Sequence, residues 1–513
     1  MTTPHEKLAV SLEILRSFQK RGAVALRSRE LTRTHRERLI RNGFLKEIIK
    51  GWYLIARPDE VAGESTAWYA SFWDFCAVYL RQRFGTDYCL SPEQSLLLHV
   101  GNMTVPDQLL VRSPKARNRA TALLHDTSLL DVRAVLPAEG QFVEKSGLRL
   151  FSVSAGLVSC GPSFFQQHTI DARAVLATIG DASEVLAPLL EGGRSTVAGR
   201  LAGALRNIGR NRAADDIVKT MRTAGYDVRE SDPFETSILS VPAAPARSPY
   251  ASRIRLMWQQ MREVIIDAFP AAPDRPVDIE AYMKTTDDNY VKDAYHSLSI
   301  EGYRVSPELI ERVRSGQWDP EEGTDDRRMR NALAARGYWQ AYQSVRHSVR
   351  KVLEGANPGT VCEEGHRDWY REMFGPEVAA GLIKPADLAG YRNGQVFIRR
   401  SRHVPPRYEA VRDCMPAFFD QLGEEAEPSV RVVLGHFIFV YIHPYMDGNG
   451  RMGRFIMNLM LAAGGHPWTV IPVEKRDDYM DALESASVTQ DILPFARFIA
   501  RLLEVPTPHG VAT

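Results

Sequence analysis

At 513 residues the chain exceeds what one hydrophobic core supports and implies roughly two to four domains. Hydrophobic residues at 44% and charged residues at 25% exclude wholesale disorder, and the longest apolar run, residues 432–442, is interrupted by His436 and too short to span a bilayer. The net charge is only +1, yet residues 1–56 hold twelve Lys/Arg against five Asp/Glu, so an acidic partner is expected at that end.

Residues 7–19 place Leu8, Leu12, Ile14, Leu15 and Phe18 at helical spacing. Gly22 interrupts, residues 28–31 begin a short second element, and Thr34 is a candidate N-cap for a helix through Arg41, closed by Asn42-Gly43. Residues 47–55 read as two β-prone arms around Gly51. Three helices and a ribbon are the pattern of a winged helix-turn-helix, where Arg33, Arg36, Arg38 and Arg41 would meet phosphates and a groove, with Lys50 at the wing tip. A small helical protein-interaction domain with solvated arginines has the same periodicity. The stretch Arg38-Leu39-Ile40-Arg41-Asn42-Gly43-Phe44-Leu45, followed by Lys50-Gly51-Trp52-Tyr53-Leu54-Ile55, resembles the N-terminal winged helix of AbiEi-like antitoxins, and that resemblance implies DNA binding.

Farther on, residues 88–91, a Leu-rich helix and the alternating residues 108–112 suggest mixed α and β structure, and residues 201–225 read as two helices around Gly209. This loosely resembles the later domain of the same antitoxins. Neither Cys160, His99 nor His125 has a neighbour that makes it chemically suggestive. Five scattered cysteines (Cys76, Cys89, Cys160, Cys362, Cys414) form no CxxC pair and are expected as buried thiols in a reducing cytoplasm. No secretory signal pattern is apparent at the N-terminus. Residues 233–249, rich in Pro, Ala and Ser, are the best linker.

The most informative stretch is His443-Pro444-Tyr445-Met446-Asp447-Gly448-Asn449-Gly450-Arg451-Met452-Gly453-Arg454, lying between two apolar elements. Gly448 and Gly450 permit close approach to the backbone. The segment from Arg451 reads as a helix, whose free amides and dipole make an anion site. Arg451 and Arg454 share one face there, and two guanidinium forks suit a polyphosphate. Asp447 is a hard oxygen ligand suited to Mg2+ held chiefly by waters and phosphates. His443 can exchange a proton near neutral pH. The run is not a Walker loop, and His436 with His443 lacks the further ligands of a zinc site.

This run resembles the signature of the Fic (filamentation induced by cAMP) family, with Tyr445 where that family usually has phenylalanine. The resemblance implies AMP transfer from ATP to a Ser, Thr or Tyr hydroxyl of a protein. It makes His443 the general base, Asp447 the Mg2+ ligand, Gly448, Asn449 and Gly450 the anion hole, Arg451 a phosphate ligand and Arg454 the γ-phosphate ligand.

Upstream, Ser297 and Glu301 share a helix face and Gly302 is a plausible helix stop. The segment resembles the family's inhibitory motif, which implies that Glu301 pairs with Arg454 and blocks productive γ-phosphate binding. Residues 391–398 read as a turn and an extended run. By the same resemblance this is a flap in which Val396, Phe397 and Ile398 pair with the target segment. Residues 476–483 resemble a late helix of the family core, with Tyr479 expected as a packed aromatic.

The resulting expectation is a multidomain protein: a winged helix-turn-helix over 1–60, an α+β AbiEi-antitoxin-like domain over 61–235, a linker over 236–250, and over 251–513 an all-α Fic domain with a small β-hairpin flap. The inhibitory helix is expected near 286–302 and the catalytic core at about 360–505. The protein is expected to be cytoplasmic, with ATP, Mg2+, a target protein that includes itself, DNA and a second copy as partners, and no membrane. A fused module of the toxin–antitoxin kind would suit that pairing. The alternatives are a DNA-binding regulator whose Fic domain senses nucleotide, an enzyme using another nucleotide, or one that removes AMP.

Overall fold

The computed structural model describes residues 3–58, 64–234, 248–271, 278–318 and 326–504. The boundary expected at 60–61, and the expected linker up to residue 247, lie outside the described residues. The chain divides into two compact units: Met1–Pro249 with Phe397–Val404, and Tyr250–Val396 with Pro405–Thr513.

In the first unit, the helix Pro4–Lys20 starts with a reciprocal cap between Thr3 and Glu6. It lays Leu15 against Leu26, Leu31, Leu39 and Leu45. Strands β1 (Ala25–Arg27), β2 (Leu45–Ile49) and β3 (Trp52–Ile55) form an antiparallel sheet in the order β1-β3-β2, and the β2–β3 turn uses Gly51 at φ +85°. Between β1 and β2 lie a single 3-10 turn, Ser28–Glu30, and the helix Arg33–Arg41. Thr32 rather than Thr34 caps that helix, accepting from the His35 amide at 3.4 Å. The helix begins two residues earlier than a cap at Thr34 implies, because Thr32 is already extended and Thr34 is inside the first turn.

The other face of the ribbon, through Ile48, Trp52 and Leu54, packs into a second core with Phe72, Phe75 and Leu80 from the helix Thr66–Phe84. Beside it lies a four-stranded sheet of β4 (Cys89–Leu90), β5 (Gln108–Ser113), β6 (Arg119–Ala122) and β7 (Ser128–Arg133), ordered β4-β5-β7-β6. β5 and β7 run parallel and the other pairs antiparallel. Alternation in β5 buries Leu109 and Val111 and exposes Gln108. A hairpin of β8 (Phe142–Lys145) and β9 (Leu148–Phe151) follows. The later helices Ser195–Asn207 and Asn211–Thr223 turn about Gly209 at φ +77°. All five cysteines in the chain are buried free thiols.

The second unit is helical. At its centre, the helices Pro428–Ile442 and Asn449–Ala463 are buried almost all round, the second with Arg451, Arg454 and Asn458 buried along with its apolar residues. Gly453 lets them approach, since a Cβ there would lie 2.8 Å from Val440 Cγ2. The helix Ile279–Ile300 is capped by Asp278 and clamped along its length. Tyr338 Oη donates to Asp293 at 2.6 Å, Arg346 makes a two-pronged pair with Asp287 at 2.7 and 2.8 Å, and the Val473 amide donates to His296 at 3.1 Å.

The expected β-hairpin flap is not formed: residues 391–406 make no strand ladder. Pro405 and Pro406 have no N–H to offer an outgoing arm. The preceding residues bond within the first unit, Arg399 to Glu64 at 2.9 Å, the Arg400 amide to Thr66 Oγ1 at 2.9 Å, and Arg402 and Val105 to each other at 2.9 Å. Among the described residues no helix is long and apolar enough to cross a membrane.

Candidate active site

The helix Pro428–Ile442 ends on His443, whose amide reaches Phe439 O at 3.0 Å and whose φ of +53° is left-handed. Such a conformation costs a non-glycine residue about 1–3 kcal/mol and is retained where the surroundings dictate it. Its imidazole Nδ1 lies 3.0 Å from Val440 O. A carbonyl only accepts, so Nδ1 carries the hydrogen and Nε2 keeps its lone pair. Burial pushes the imidazole down to about 4, helped by the Arg392 cation and only partly opposed by Val440 O, Glu301 and Asp447. At neutral pH His443 is therefore an uncharged base.

Past His443 the chain loops back to start the helix Asn449–Ala463. The Asn449 carboxamide closes this loop, accepting from the Tyr445 amide and donating to Tyr445 O, both at 2.9 Å. Its side chain is thus spent on shape, and what it can offer a ligand is its backbone. Gly448 at φ +78° caps the helix and has no room for a side chain, since a Cβ would meet the Phe374 ring at 2.7 Å. Asp447 is exposed and uses Oδ1 to accept from the Gly448 amide at 2.6 Å. The Tyr445 ring stacks on Tyr370 at 3.8 Å between centroids.

Two buried guanidiniums flank the helix start. Arg451 lies between the Tyr303 and Phe374 rings, 5.3 and 5.0 Å from their centroids, and 3.9 Å from Asp447. Its Nε and Nη1 have no hydrogen-bond partner among the described residues. Arg454 donates from Nε to Ser297 Oγ at 2.9 Å, and from Nη2 to Ser297 O at 3.0 Å and Glu301 Oε1 at 2.8 Å, while Nη1 is also left without a partner. Buried donors are normally satisfied, so these nitrogens mark a place built for an anion.

Glu301 occupies part of that place. It is the C-cap of the helix Ile279–Ile300, which Gly302 at φ +88° ends with paired bonds from Gly302 N to Ser299 O and from Tyr303 N to Leu298 O. This termination aims the carboxylate over the neighbouring helix start: a Cβ on Gly450 would lie 2.4 Å from Glu301 Oε1. Burial pushes the Glu301 carboxyl up, but the Arg454 and Arg451 cations outweigh it and hold it below the usual carboxylate range. It is an internal anion seated between Arg454 and Gly450.

His443, Asp447, Gly448, Gly450, Arg451 and Arg454 are thus brought together with Ser297, Glu301 and Gly302. Val396 is buried in the same unit as these, whereas Phe397 and Ile398 belong with the first unit. Tyr479 is buried and bonded to His436 at 2.9 Å, the packed aromatic expected of it. Among the described residues no three His, Cys, Asp or Glu side chains converge on a metal position. In the first unit, Arg33 pairs with Glu37 at 2.7 Å, Arg36 donates to Ser28 O at 2.8 Å, and Arg38 donates to Lys7 O at 2.7 Å and Ser11 Oγ at 2.8 Å. Arg41 and Lys50 are exposed.

The pattern of types and spacings gave no hint of Arg392. This buried guanidinium donates to His443 O at 2.8 Å, Gly394 O at 3.0 Å, Ile442 O at 3.5 Å and Pro406 O. It ties the turn at His443 to Gly394 and Pro406. Arg392→Ala strips several buried carbonyls of their donor, and unmet buried acceptors cost about 1–3 kcal/mol. The variant is expected to lose about 2–3 kcal/mol of unfolding free energy in a urea titration. Glu377, buried beside Arg451, Tyr303 and Phe374 were equally silent, since each lies far from the glycine-rich run in sequence.

The Fic/DOC family model matches residues 363–461, a range that holds the turn from His443 to Arg454 and excludes Glu301. Over 128 residues the chain is 41% identical to "Protein adenylyltransferase Fic" of Nematostella vectensis, covering 24% of this chain and 29% of that protein. It is 38% identical over 128 residues to the protein of the same name from Drosophila willistoni, covering 24% and 25%. The match therefore spans less than a third of those curated relatives. Among solved structures, Fic-1 (residues 134–508) of C. elegans aligns with 66% of this chain and 96% of its own at 19% identity and a TM-score of 0.36. Residues 363–461 are a Fic domain.

Proposed function

We propose that this chain is a protein adenylyltransferase that moves AMP from ATP to a hydroxyl of a protein and restrains itself through Glu301. The observation that carries the reading is the set of buried nitrogens on Arg451 and Arg454 that have no partner among the described residues, in one site with His443, whose Nδ1 is committed to Val440 O. In this reaction the target oxygen bonds to the α-phosphorus, the bond from that phosphorus to the departing pyrophosphate breaks, and the hydroxyl proton goes to His443 Nε2. The guanidiniums and the helix start hold the phosphates in line and offset their charge, which is most of what such a transfer requires. Asp447 fits Mg2+: it is one exposed carboxylate with an oxygen to spare, suited to an ion held mainly by waters and phosphates. Bound there, the ion supplies further charge neutralisation. Adenine selection rests on the relatives' names, because a triphosphate cradle by itself accepts any base.

Incubating the purified chain with ATP labelled at either the α- or the γ-phosphate tests this. Label is expected on protein from the α-position alone, with a mass increase of one AMP. Label from the γ-position, or tight ATP binding with no transfer from the Glu301→Gly variant, would replace the reading with a kinase or a nucleotide sensor. The reading also gives the first unit duplex DNA as a partner, supported by the twelve Lys/Arg against five Asp/Glu over residues 1–56.

A further inference from the structure

Three of the arginines that the sequence offers to DNA are already engaged within their own domain, through Glu37, Ser28 O, Lys7 O and Ser11 Oγ. A richer concentration of cations lies elsewhere in the first unit, in a cleft of about 940 Å³ between the β2–β3 turn and the β6 edge. Lys50, Arg83, Lys115, Arg117 and Arg119 line it, and no acidic residue does.

Two of these charges are neutralised from behind. Arg83 pairs with the fully buried Asp131, and Lys115 with Asp87 at 2.5 Å. Asp131 also accepts from the amides of Arg117 at 2.8 Å and Arg119 at 3.3 Å, so one buried carboxylate fixes the loop that presents both side chains. Lys50, Arg117 and Arg119 are exposed and carry no ion pair among the described residues. They come from the β2–β3 turn, the loop before β6 and the first residue of β6, and the shared core through Ile48, Trp52 and Leu54 fixes their spacing.

The β6 edge adds a second kind of donor. Among the described residues β6 pairs only with β7 and forms the edge of its sheet, and Ala120, Thr121 and Ala122 are small enough for a ligand backbone to approach closely. Cations plus main-chain donors along a track are what a row of phosphates needs. Single strands would call for exposed aromatic platforms, and the aromatics of this cleft, Tyr79 and Phe84, are buried.

We propose that duplex DNA runs its phosphate backbone through this cleft, gripped by Lys50, Arg117, Arg119 and the β6 edge. The proposal rests on the reading of the first unit as DNA-binding and moves the main contact from the helix Arg33–Arg41 to the β2–β3 turn and β6. The test is fluorescence anisotropy of the full chain with a labelled duplex of mixed sequence across a salt series. It compares the unmodified protein, a cleft variant (Lys50→Glu, Arg117→Glu, Arg119→Glu) and a helix variant (Arg33→Glu, Arg41→Glu).

Each neutralised phosphate contributes about 0.9 to the slope of log affinity against log salt, so the cleft variant is expected to lose about 2.7 from that slope. Its affinity should fall ~10-fold or more at low salt, with much less change in the helix variant. Thermal unfolding of each variant establishes that the fold survives. Should the cleft variant misfold, Lys50→Ala with Arg119→Ala gives the same reading with about two-thirds of the slope change. Loss confined to the helix variant overturns the cleft while sparing the DNA reading. No salt-dependent duplex binding by the unmodified chain overturns both, and preference for a single strand or an RNA duplex overturns the assignment of ligand.

Discussion

His443→Ala is expected to lower the rate of AMP transfer by roughly 10²–10⁴-fold, the usual worth of a positioned general base. The imidazole commits Nδ1 to Val440 O, so its tautomer is set before any substrate arrives. Because burial depresses it to about 4, it is deprotonated throughout the neutral range. The rate should therefore show no rise attributable to this group between about pH 6 and 8, unlike a histidine titrating near 6.5. The phosphate-holding groups remain in the variant, so nucleotide affinity should change little while the maximal rate collapses. Alanine removes the base but also leaves a strained left-handed φ without its supporting contacts. His443→Asn is the useful companion, since asparagine tolerates that region. Initial rates with α-labelled ATP for the two variants, alongside their thermal unfolding, give the comparison. A folded His443→Asn protein that transfers AMP at the unmodified rate would remove His443 from the chemistry.

How much of this was readable beforehand depends on distance along the chain. The turn from His443 to Arg454 is compact, and its residue types state its local geometry: glycines at 448 and 450, a helix start after them, two arginines one turn apart. The helix stop at Gly302 was equally local, and the structure ends the helix there with a left-handed glycine. Contacts made across long separations were not readable. Arg392 looks like an ordinary turn residue until Ile442, His443 and Pro406 are folded around it. The Asn449 carboxamide closes its loop onto Tyr445, a pairing that the spacing of the run does not announce. The strand expected after Gly394 failed for a related reason. β-propensity describes a surface waiting for a partner, and residues 399–402 are bonded elsewhere. The arginines of the helix Arg33–Arg41 show the same limit, because side-chain type cannot tell a free cation from one engaged at home.

Glu301→Gly is expected to raise AMP transfer by roughly 10- to 100-fold. The carboxylate holds Arg454 through a charge-assisted bond of 2.8 Å and lies where a phosphate would meet Gly450. A bond to a charged group is worth about 1.5–3 kcal/mol, and each ~1.4 kcal/mol is tenfold in occupancy of the competent state. Truncation is a cleaner release than displacement of the whole helix, because Asp287, Asp293 and His296 clamp Ile279–Ile300 and would have to let go together. Ser297 stays in place in the variant and still orients Arg454 through Nε. The freed guanidinium is therefore held ready for phosphate rather than left to wander. Position 301 is the last residue before a left-handed glycine, so the backbone accepts glycine there, and the stability cost is that of leaving the buried Arg454 short of its anion, about 1–3 kcal/mol. Thermal unfolding of the variant reads that cost separately from the rise in activity. Glu301→Gln separates charge from shape: the amide fills the same space but no longer matches the guanidinium as an anion, so an intermediate rise is expected. Time courses of self-labelling and of labelling in a cell lysate, with His443→Asn added to Glu301→Gly as the control, provide the measurement. A folded Glu301→Gly protein no faster than the unmodified chain would mean that the Glu301–Arg454 pair is structural, and that something other than this carboxylate sets the basal rate.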